Sequence, residues 1–305
     1  MNILPKIVGE KTLRNLLRNM TFSTISKAAT AMIAIIISCL IYMFQIEPYW
    51  FEIVPVNLTI PELDPAFEGF KIVQISDIHV DTSMNRRKLD KIVQIIDQQQ
   101  PDLVAITGDF FSYQPDPIST NLLSTALKKL TPTEKTVAVL GNHDYDFDSS
   151  VVSKILAQSN VLELSNSIYT IERGQGRLKI AGLDDYLMHK SRLDLVLDQL
   201  APDDVTILLV HEPDFADISA ATDRFFLEIS GHSHGGQVRI PFRKPDILPP
   251  YGKKYPLGIY QVGNMIQYTN RGVGMIPPPV RFNSRPEITV FTLSVQHLKH
   301  NLHHR

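Results

Sequence analysis

The sequence predicts an α/β body built from two mixed β-sheets packed together, preceded by a transmembrane helix. In the first half of the body, apolar β-type runs alternate with amphipathic helical runs, whereas the second half has few helical runs. Strands separated by helices favour parallel pairing, and the helix-poor half favours hairpins. A charge-free stretch near the N-terminus predicts the additional helix. A single doubly wound sheet is therefore less favoured.

The charge-free stretch covers residues 28–46. As a helix it would be about 28 Å long, close to the thickness of one hydrocarbon core. A cleaved signal peptide has a shorter apolar core, roughly 7–15 residues, followed by small residues. This stretch instead runs into Glu47 and Pro48 and then into the aromatic pair Tyr49 and Trp50. We therefore expect an uncleaved transmembrane anchor at residues 28–46.

The charges around the anchor predict its orientation. Five basic residues and one acidic residue precede it, and no Lys or Arg follows it until Lys71. The positive-inside rule then predicts a single-pass protein of the bacterial inner (cytoplasmic) membrane, with the body on the extracytoplasmic side. Residues 11–22 also place apolar side chains at helical spacing, so the basic segment 1–27 is either cytoplasmic or interfacial. If this segment and the apolar stretch both only dip into the membrane, the topology is reversed, so the side that carries the body stays open.

The rest of the chain divides into a linker at residues 47–65, a body at 66–296 and a His-rich tail at 297–305. Residues 239–257 are rich in Pro and basic residues, which predicts a surface loop. Strands are expected at 71–76, 103–107, 137–140, 161–164, 168–171, 178–181, 205–210, 225–229, 259–262 and 288–293, and helices at 88–99, 118–130, 150–158 and 192–200.

Composition excludes some partners and sites. A net charge of −2 supplies no general basic field, so no nucleic acid partner is expected. The single cysteine, Cys39, excludes an intramolecular disulfide and a four-thiolate zinc site. The sequence does not indicate an oligomeric state.

Five short polar clusters each follow directly on an expected strand. Ligand sites form where parallel strands end in loops, so the five clusters are expected to converge on one rim. Carboxylates, imidazoles and one amide suit Mn²⁺, Fe or Zn²⁺, and seven candidate ligands suit two ions. Two such ions can clamp a phosphoryl group and activate a water. The clusters are Ser76-Asp77-Ile78-His79, Gly108-Asp109, Gly141-Asn142-His143-Asp144, His211 and Gly231-His232-Ser233-His234.

In order, spacing and residue type, these clusters resemble the calcineurin-like metallophosphoesterase family over residues 71–293. The resemblance implies a four-layer α-β-β-α fold and a site for two divalent ions, with Mn²⁺ as the first expectation and Fe or Zn²⁺ as alternatives. Two ligand carboxylates against two divalent ions leave the site positive, which suits an anionic phosphate. The implied ligands are Asp77, His79 and His234 for the first metal, Asn142, His211 and His232 for the second, and Asp109 as the bridge.

The resemblance also implies a general acid. His143 would lie beside the metals without binding them and would protonate the leaving oxygen. Asp144 is expected to orient His143 and to favour its protonated form by ion pairing. His143 and Asp144 are therefore the expected catalytic residues.

Several further runs narrow the expected activity. Five short runs resemble those of a membrane-associated bacterial branch of phosphodiesterases and of the UDP-2,3-diacylglucosamine pyrophosphohydrolases of lipid A synthesis. They are HEPD, GHSHGGQV, NRGVG, PVRF and PEITVF. We expect a metal-dependent hydrolase of phosphodiester or pyrophosphate bonds, acting on a membrane-associated or lipid-linked substrate. The UDP-diacylglucosamine reaction is an alternative that conflicts with an extracytoplasmic body, because its substrate is cytoplasmic. A catalytically silent membrane-tethered scaffold is the second alternative, and the complete ligand set with His143 disfavours it.

One segment departs from the family pattern. Many phosphatases of this family have a further acid or Arg soon after the Gly-Asp pair, whereas Phe110 and Phe111 follow Asp109 here. A protein phosphatase is therefore less expected, and the aromatic pair either contacts an apolar or nucleobase-bearing substrate or packs in the core. Arg271 and Arg281 either bind phosphate oxygens or form structural salt bridges.

Overall fold

A computed structural model describes residues 10–81, 83–245 and 247–296, so the first nine residues and the expected tail at 297–305 lie outside the described residues. The chain divides into two units, Met1–Ile46 and Glu47–Arg305, the second of which is the body. The N-terminal unit contains helix α1 (Glu10–Ile41) and a π-helical turn (Tyr42–Ile46). The segment Thr24–Tyr49 is helical, long and apolar enough to cross a membrane, and it includes the expected anchor.

The described part of the body contains twelve strands and five further α-helices. The strands are β1 (Glu52–Ile60), β2 (Lys71–Ile75), β3 (Leu103–Thr107), β4 (Lys135–Val139), β5 (Val161–Glu163), β6 (Ser167–Arg173), β7 (Gly176–Gly182), β8 (Thr206–Leu209), β9 (Leu227–Ser230), β10 (Gly258–Val262), β11 (Met265–Thr269) and β12 (Glu287–Val295). The helices are α2 (Arg86–Gln98), α3 (Pro117–Leu127), α4 (Ser150–Gln158), α5 (Leu193–Leu197) and α6 (Ala216–Ala220).

The strands form two six-stranded sheets, in the orders β1-β12-β2-β3-β4-β5 and β10-β11-β9-β8-β7-β6. Strands β2 to β5 are parallel, and β12 is antiparallel to β2. In the second sheet β7, β8, β9 and β11 are parallel, and the edge strands β6 and β10 are antiparallel to their neighbours. The expectation of two mixed sheets is confirmed.

Three apolar clusters separate four layers. Leu123 of α3 packs with Ile106 of β3 on the outer face of the first sheet. Val137 of β4 and Ile207 of β8 belong to the cluster between the sheets. Val196 of α5 belongs to a third cluster, on the outer face of the second sheet. The order helix, sheet, sheet, helix is the four-layer fold that the resemblance implied.

Helices α2 and α3 begin at capping side chains that the sequence supplies. Asn85 Oδ1 accepts a hydrogen bond from Lys88 N at 3.1 Å, and Asp116 Oδ1 accepts one from Ser119 N at 2.7 Å. Pro117 occupies the first turn of α3, where its missing N–H is not needed. These caps fix where each helix leaves the loop that follows its strand.

The expected linker at residues 47–65 differs from the structure, because it contains β1. This strand pairs in parallel with β12 over its whole length. Its alternating burial places Leu58 and Ile60 inside and Asn57 and Thr59 outside. Because β1 is an edge strand, Pro55 can lie within it without removing a hydrogen bond that the sheet needs.

A buried acid lies in the second sheet. Glu228 of β9 is fully buried, its Oε2 accepts a hydrogen bond from the Ser219 hydroxyl, and its Oε1 has no hydrogen-bond partner among the described residues. Burial raises the pKa of Glu228 from 4.5 to about 8. Folding therefore takes up a proton between these two values, so the contribution of Glu228 to stability is lost as the pH rises through that window.

Glu228→Gln is expected to raise the Tm relative to the wild type at pH 8.5 and to have a much smaller effect at pH 5. Each unit of pKa shift corresponds to about 1.4 kcal/mol, so a gain of several degrees is expected. Thermal unfolding at the two pH values measures it, with exposed Glu172→Gln as the control. An equal Tm difference at both pH values would contradict the assignment.

Candidate metal centre

The five polar clusters of the sequence follow β2, β3, β4, β8 and β9 in the structure, at the carboxyl ends of these strands. The parallel strands of each sheet end on the same side, so the loops after them meet. The structure brings all seven expected ligands into this region, and six of them form two groups with donor atoms within 4.8 Å of one another. The first group is Asp77, His79 and His234, and the second is Asp109, His211 and His232.

The first group is buried. His79 Nε2 lies 3.2 Å from His234 Nε2, and His234 Nε2 lies 3.4 Å from Asp77 Oδ1. Both oxygens of the Asp77 carboxylate accept from His232 N at 3.1 Å, which fixes the carboxylate. Two imidazole nitrogens and one carboxylate oxygen therefore converge on one point.

The second group is also buried and also brings together two imidazole nitrogens and one carboxylate oxygen. His211 Nε2 lies 3.2 Å from Asp109 Oδ2, and His232 Nδ1 lies 3.2 Å from His211 Nε2. Each imidazole is oriented by its other nitrogen: His211 Nδ1 donates to Thr107 O at 2.7 Å, and His232 Nε2 donates to Pro250 O at 2.8 Å. These bonds leave His211 Nε2 and His232 Nδ1 as the nitrogens that can bind a metal.

Asp109 connects the two groups. Its Oδ2 lies 3.5 Å from His79 Nε2 in the first group and 3.2 Å from His211 Nε2 in the second. Its Oδ1 accepts a hydrogen bond from His143 N at 3.0 Å. A single carboxylate is therefore held between two sets of donors.

Asn142 supplies a test of whether the residues fit metal ions. Its Oδ1 is buried and has no hydrogen-bond partner among the described residues. A buried amide oxygen without a partner is unfavourable unless something is bound to it. The donor set of carboxylates, imidazoles and this amide is one that divalent ions accept, so the residues fit a metal centre.

The protonation states of three of the four expected imidazole ligands also fit. Burial lowers the pKa of His79 to about 4, lowers that of His232, and, together with the neighbouring His79, lowers that of His234 well below its ordinary value. These three imidazoles are therefore neutral near pH 7, which is the form that binds metals. Burial opposes charge on Asp109 and His211, but their attraction holds the pKa of Asp109 well below and that of His211 well above the usual range. His211 therefore has to release a proton from Nε2 when a metal binds there.

The backbone at the site is strained. Five of the seven expected ligands have φ in the left-handed region, between 48° and 70°. A non-glycine residue in this conformation costs about 1 kcal/mol or more and persists where the surrounding structure enforces it, which is common at functional sites. The five are Asp77, His79, Asp109, His232 and His234.

Gly108 shows why glycine precedes Asp109. Its φ is 88°, and a Cβ at this position would lie 2.5 Å from His211 Nδ1 and 2.8 Å from Gly141 N. Any side chain would displace the imidazole of an expected ligand. The backbone therefore passes directly beside the donors.

His143 lies beside the first group, and its orienting partner differs from the expected one. Its ring lies 5.2 Å from the ring of His79, in an edge-to-face arrangement. The Asp146 carboxylate, and not that of Asp144, contacts the ring, with 2.8 Å between His143 Nδ1 and Asp146 Oδ2. His143 lies in a 3-10 helix (Asn142–Tyr145), and Asp146 is the C-cap residue that follows it, three residues after His143. This spacing could have indicated the pair.

Asp144 instead organises the backbone. Its carboxylate accepts hydrogen bonds from Asp109 N at 3.1 Å, Phe110 N at 2.9 Å and Gly141 N at 3.0 Å. Burial and the nearby Asp109 raise the pKa of Asp144 to about 7. Asp144 therefore joins the loops after β3 and β4, and does not orient His143 as expected.

The two phenylalanines and two arginines whose roles the sequence left open have structural roles. Phe110 and Phe111 are fully buried in the cluster between the first sheet and its helices. Arg271 forms ion pairs with Glu52 and Glu287. Arg281 is fully buried, and its terminal nitrogens donate to the carbonyls of Arg271, Gly272, Gly274 and Ser284.

A cavity of about 720 Å³ lies beside the donors, and sequence reasoning missed it. Asp109, Asn142, His143, His232 and His234 line one part of it. The remaining wall is mainly apolar and comes from Leu187 and from two segments that are distant in sequence. Its apolar side chains include Val238, Ile240, Ile247, Leu248, Ile276 and Val280.

Comparisons with known proteins agree with this geometry. A family model described as calcineurin-like phosphoesterase matches residues 70–236. The uncharacterized metallophosphoesterase YkuE of Bacillus subtilis is 35% identical over 255 residues, which are 83% of this chain and 88% of that protein. Phosphodiesterase YaeI of Escherichia coli is 26% identical over 83% of this chain and 92% of its own. A bovine transmembrane protein with metallophosphoesterase domain is 31% identical over 78% of this chain and 56% of its own.

Proposed function

The chain belongs to the calcineurin-like phosphoesterase family, and we propose that it is a phosphodiesterase that uses two divalent metal ions. The observation that carries this proposal is the Asp109 carboxylate between two buried donor groups. The relative named as a phosphodiesterase supports the choice of a diester. Hydrolysis of a phosphoric anhydride is the related reaction that the same site would allow.

We assign the seven expected side chains as ligands, with Mn²⁺ as the first candidate metal and Fe or Zn²⁺ as alternatives. When bound, two such ions would neutralise phosphate charge and lower the pKa of a water, so that it could lose a proton near neutral pH and act as the nucleophile. Asp109, which lies between the two donor groups, would be a ligand of both ions. The first ion is assigned to Asp77, His79 and His234, and the second to Asn142, His211 and His232.

The chain's own residues supply the remaining steps. His143 donates a proton to the leaving oxygen, and Asp146 holds the imidazole through Nδ1. Nε2 is then the atom that exchanges the proton. Asp144 acts at a distance by fixing the loops that carry Asp109 and Asn142. In this scheme His143 touches the substrate, and the two carboxylates position it and the ligands.

The apolar cavity supports a substrate with an apolar part. A phosphate held at the donors would leave its substituents in a space walled largely by aliphatic side chains. A helical segment able to cross a membrane, and similarity to a protein named as transmembrane, support a membrane location. We therefore propose a membrane-associated or lipid-linked phosphodiester as the substrate, with the body outside the inner membrane.

Hydrolysis of UDP-2,3-diacylglucosamine is the second candidate, because its acyl chains would also suit the apolar wall. That substrate requires a cytoplasmic body. A phosphatase reporter, active only outside the cytoplasm, fused after Arg305 tests the location. Activity of the reporter would exclude this candidate, and an inactive but stable fusion would favour it.

The full chain in detergent is expected to hydrolyse bis-p-nitrophenyl phosphate when Mn²⁺ is present. Treatment with a chelator is expected to abolish release of p-nitrophenolate, and added Mn²⁺ to restore it, because the ions supply the charge that the phosphate needs. Metal content measured before and after treatment is the control. A protein that retains two ions and shows no hydrolysis would instead support the scaffold alternative.

A further inference from the structure

The loop after β9 exposes large apolar side chains to an unusual degree. Phe242 is 108% exposed and Ile247 is 86% exposed, the two highest values among the large apolar side chains of residues 24–296 whose exposure is described. Val238 and Ile240, in the same loop, are also exposed. We refer to the part of the loop that carries these four side chains as the apolar loop. Single exposed apolar residues are ordinary, but four within ten residues mark an interaction surface.

The apolar loop is continuous with the candidate metal centre. Val238, Ile240 and Ile247 line the cavity beside the donors. Pro250, in the same connection, accepts a hydrogen bond from His232 Nε2 at 2.8 Å. Part of the cavity wall and the exposed Phe242 therefore belong to the same loop.

The base of the apolar loop is tied to the residue at which the body begins. Arg239 Nε donates to Asn283 O at 2.7 Å, and Asn283 N donates to Glu47 Oε2 at 2.9 Å. Glu47 is buried and belongs to the last turn of the segment that could cross a membrane. Trp50 is exposed near this point and stacks on Arg285, with 3.7 Å from the guanidinium to the ring centre. An aromatic ring with a basic partner is typical of a membrane interface.

Charge identifies the kind of surface that the apolar loop contacts. The stretch 239–257 has five basic residues and one acidic residue, and Arg243 and Lys244 are exposed directly after Phe242. A bilayer with anionic lipids offers phosphates for the basic groups and an apolar layer beneath them for Phe242 and Ile247. An acidic protein surface would match the charges but would leave these apolar side chains without a partner.

We propose that the apolar loop docks into the surface of an anionic bilayer and that amphiphilic phosphodiesters enter the cavity from the lipid. The docking does not depend on the activity, whereas the entry of substrate rests on the proposed function.

Quenching by brominated lipids tests the docking. The chain has one tryptophan, so Trp50→Phe gives a background into which one indole is introduced. The test variant is Phe242→Trp, and the control is Gln175→Trp in the β6–β7 turn. That turn is exposed and precedes β7, which is parallel to β8 and β9. It therefore lies at the opposite end of the strands from the carboxyl ends of β8 and β9.

The full chain of each variant is reconstituted into phosphatidylcholine vesicles that contain acyl-brominated lipid, with and without phosphatidylglycerol. We expect the Phe242→Trp indole to lose most of its emission, with the larger loss in anionic vesicles, and the Gln175→Trp indole to be unaffected. Equal quenching of the two indoles would overturn the proposal. An indole that is blue-shifted in detergent and unquenched in lipid would indicate a protein partner, such as a second copy, and would also overturn it.

Hydrolysis of bis-p-nitrophenyl phosphate by the same preparations separates this proposal from the proposed function. Phe242 does not line the cavity, so Phe242→Trp is expected to keep the turnover of the background chain on this soluble ester. Turnover without quenching would refute only the docking. Quenching without turnover would support the docking and refute the phosphodiesterase.

Discussion

Asp109→Asn is expected to lower phosphodiester hydrolysis by about 10³-fold or more and to reduce the metal content of the protein. Asparagine keeps the shape of the side chain, and its oxygen can still accept from His143 N, so the loop is expected to fold. It lacks the negative charge that lies between the two donor groups. Charge stabilisation by bound ions amounts to several kcal/mol, and about 1.4 kcal/mol corresponds to tenfold in rate.

Turnover of bis-p-nitrophenyl phosphate and metal content by mass spectrometry measure this effect. Asp116→Asn is the matched control, because asparagine caps a helix as well as aspartate does and this cap is exposed. It is expected to leave both quantities unchanged. An Asp109→Asn protein with two bound ions and normal turnover would contradict the shared ligand.

His143→Ala is expected to lower turnover by roughly 10²–10⁴-fold while the metal content stays the same. The ring of His143 lies beside the first donor group but belongs to neither group. A general acid matters most when the leaving group is a poor one. The loss should therefore be larger for a diester with an alkoxide leaving group than for one that releases p-nitrophenolate.

Asp146→Asn separates positioning from proton transfer. It weakens the contact with His143 Nδ1 but keeps the imidazole, so a loss of about 10-fold to 100-fold is expected, again greater for the alkoxide leaving group. Equal losses on both substrates would show that His143 acts through structure alone. Unchanged turnover of His143→Ala would remove the general acid from the scheme.

The ends of the buried strands were predictable because their signals are local. An apolar run followed at once by Asp77, Asp109 or His211 indicates both the strand and the side chain at its end. The parallel arrangement then requires that these ends meet, and the structure brings the expected ligands together for that reason.

Features that depend on distant or irregular segments were not predictable in this way. Strand β1 contains Pro55 and alternating polar residues, and it becomes a strand only by pairing with β12. The apolar wall of the cavity combines residues near 240 with residues near 278, which sequence patterns do not connect.

The placement of β12 determines when this body can be completed during translation. Because β12 lies between β1 and β2, the two earliest strands remain apart until residue 295 has left the ribosome. During that interval both strands present unpaired backbone edges that other chains could join. Glu287, which pairs with Arg271, arrives equally late. A nascent chain arrested before residue 287 would therefore hold every expected metal ligand and still have an open first sheet.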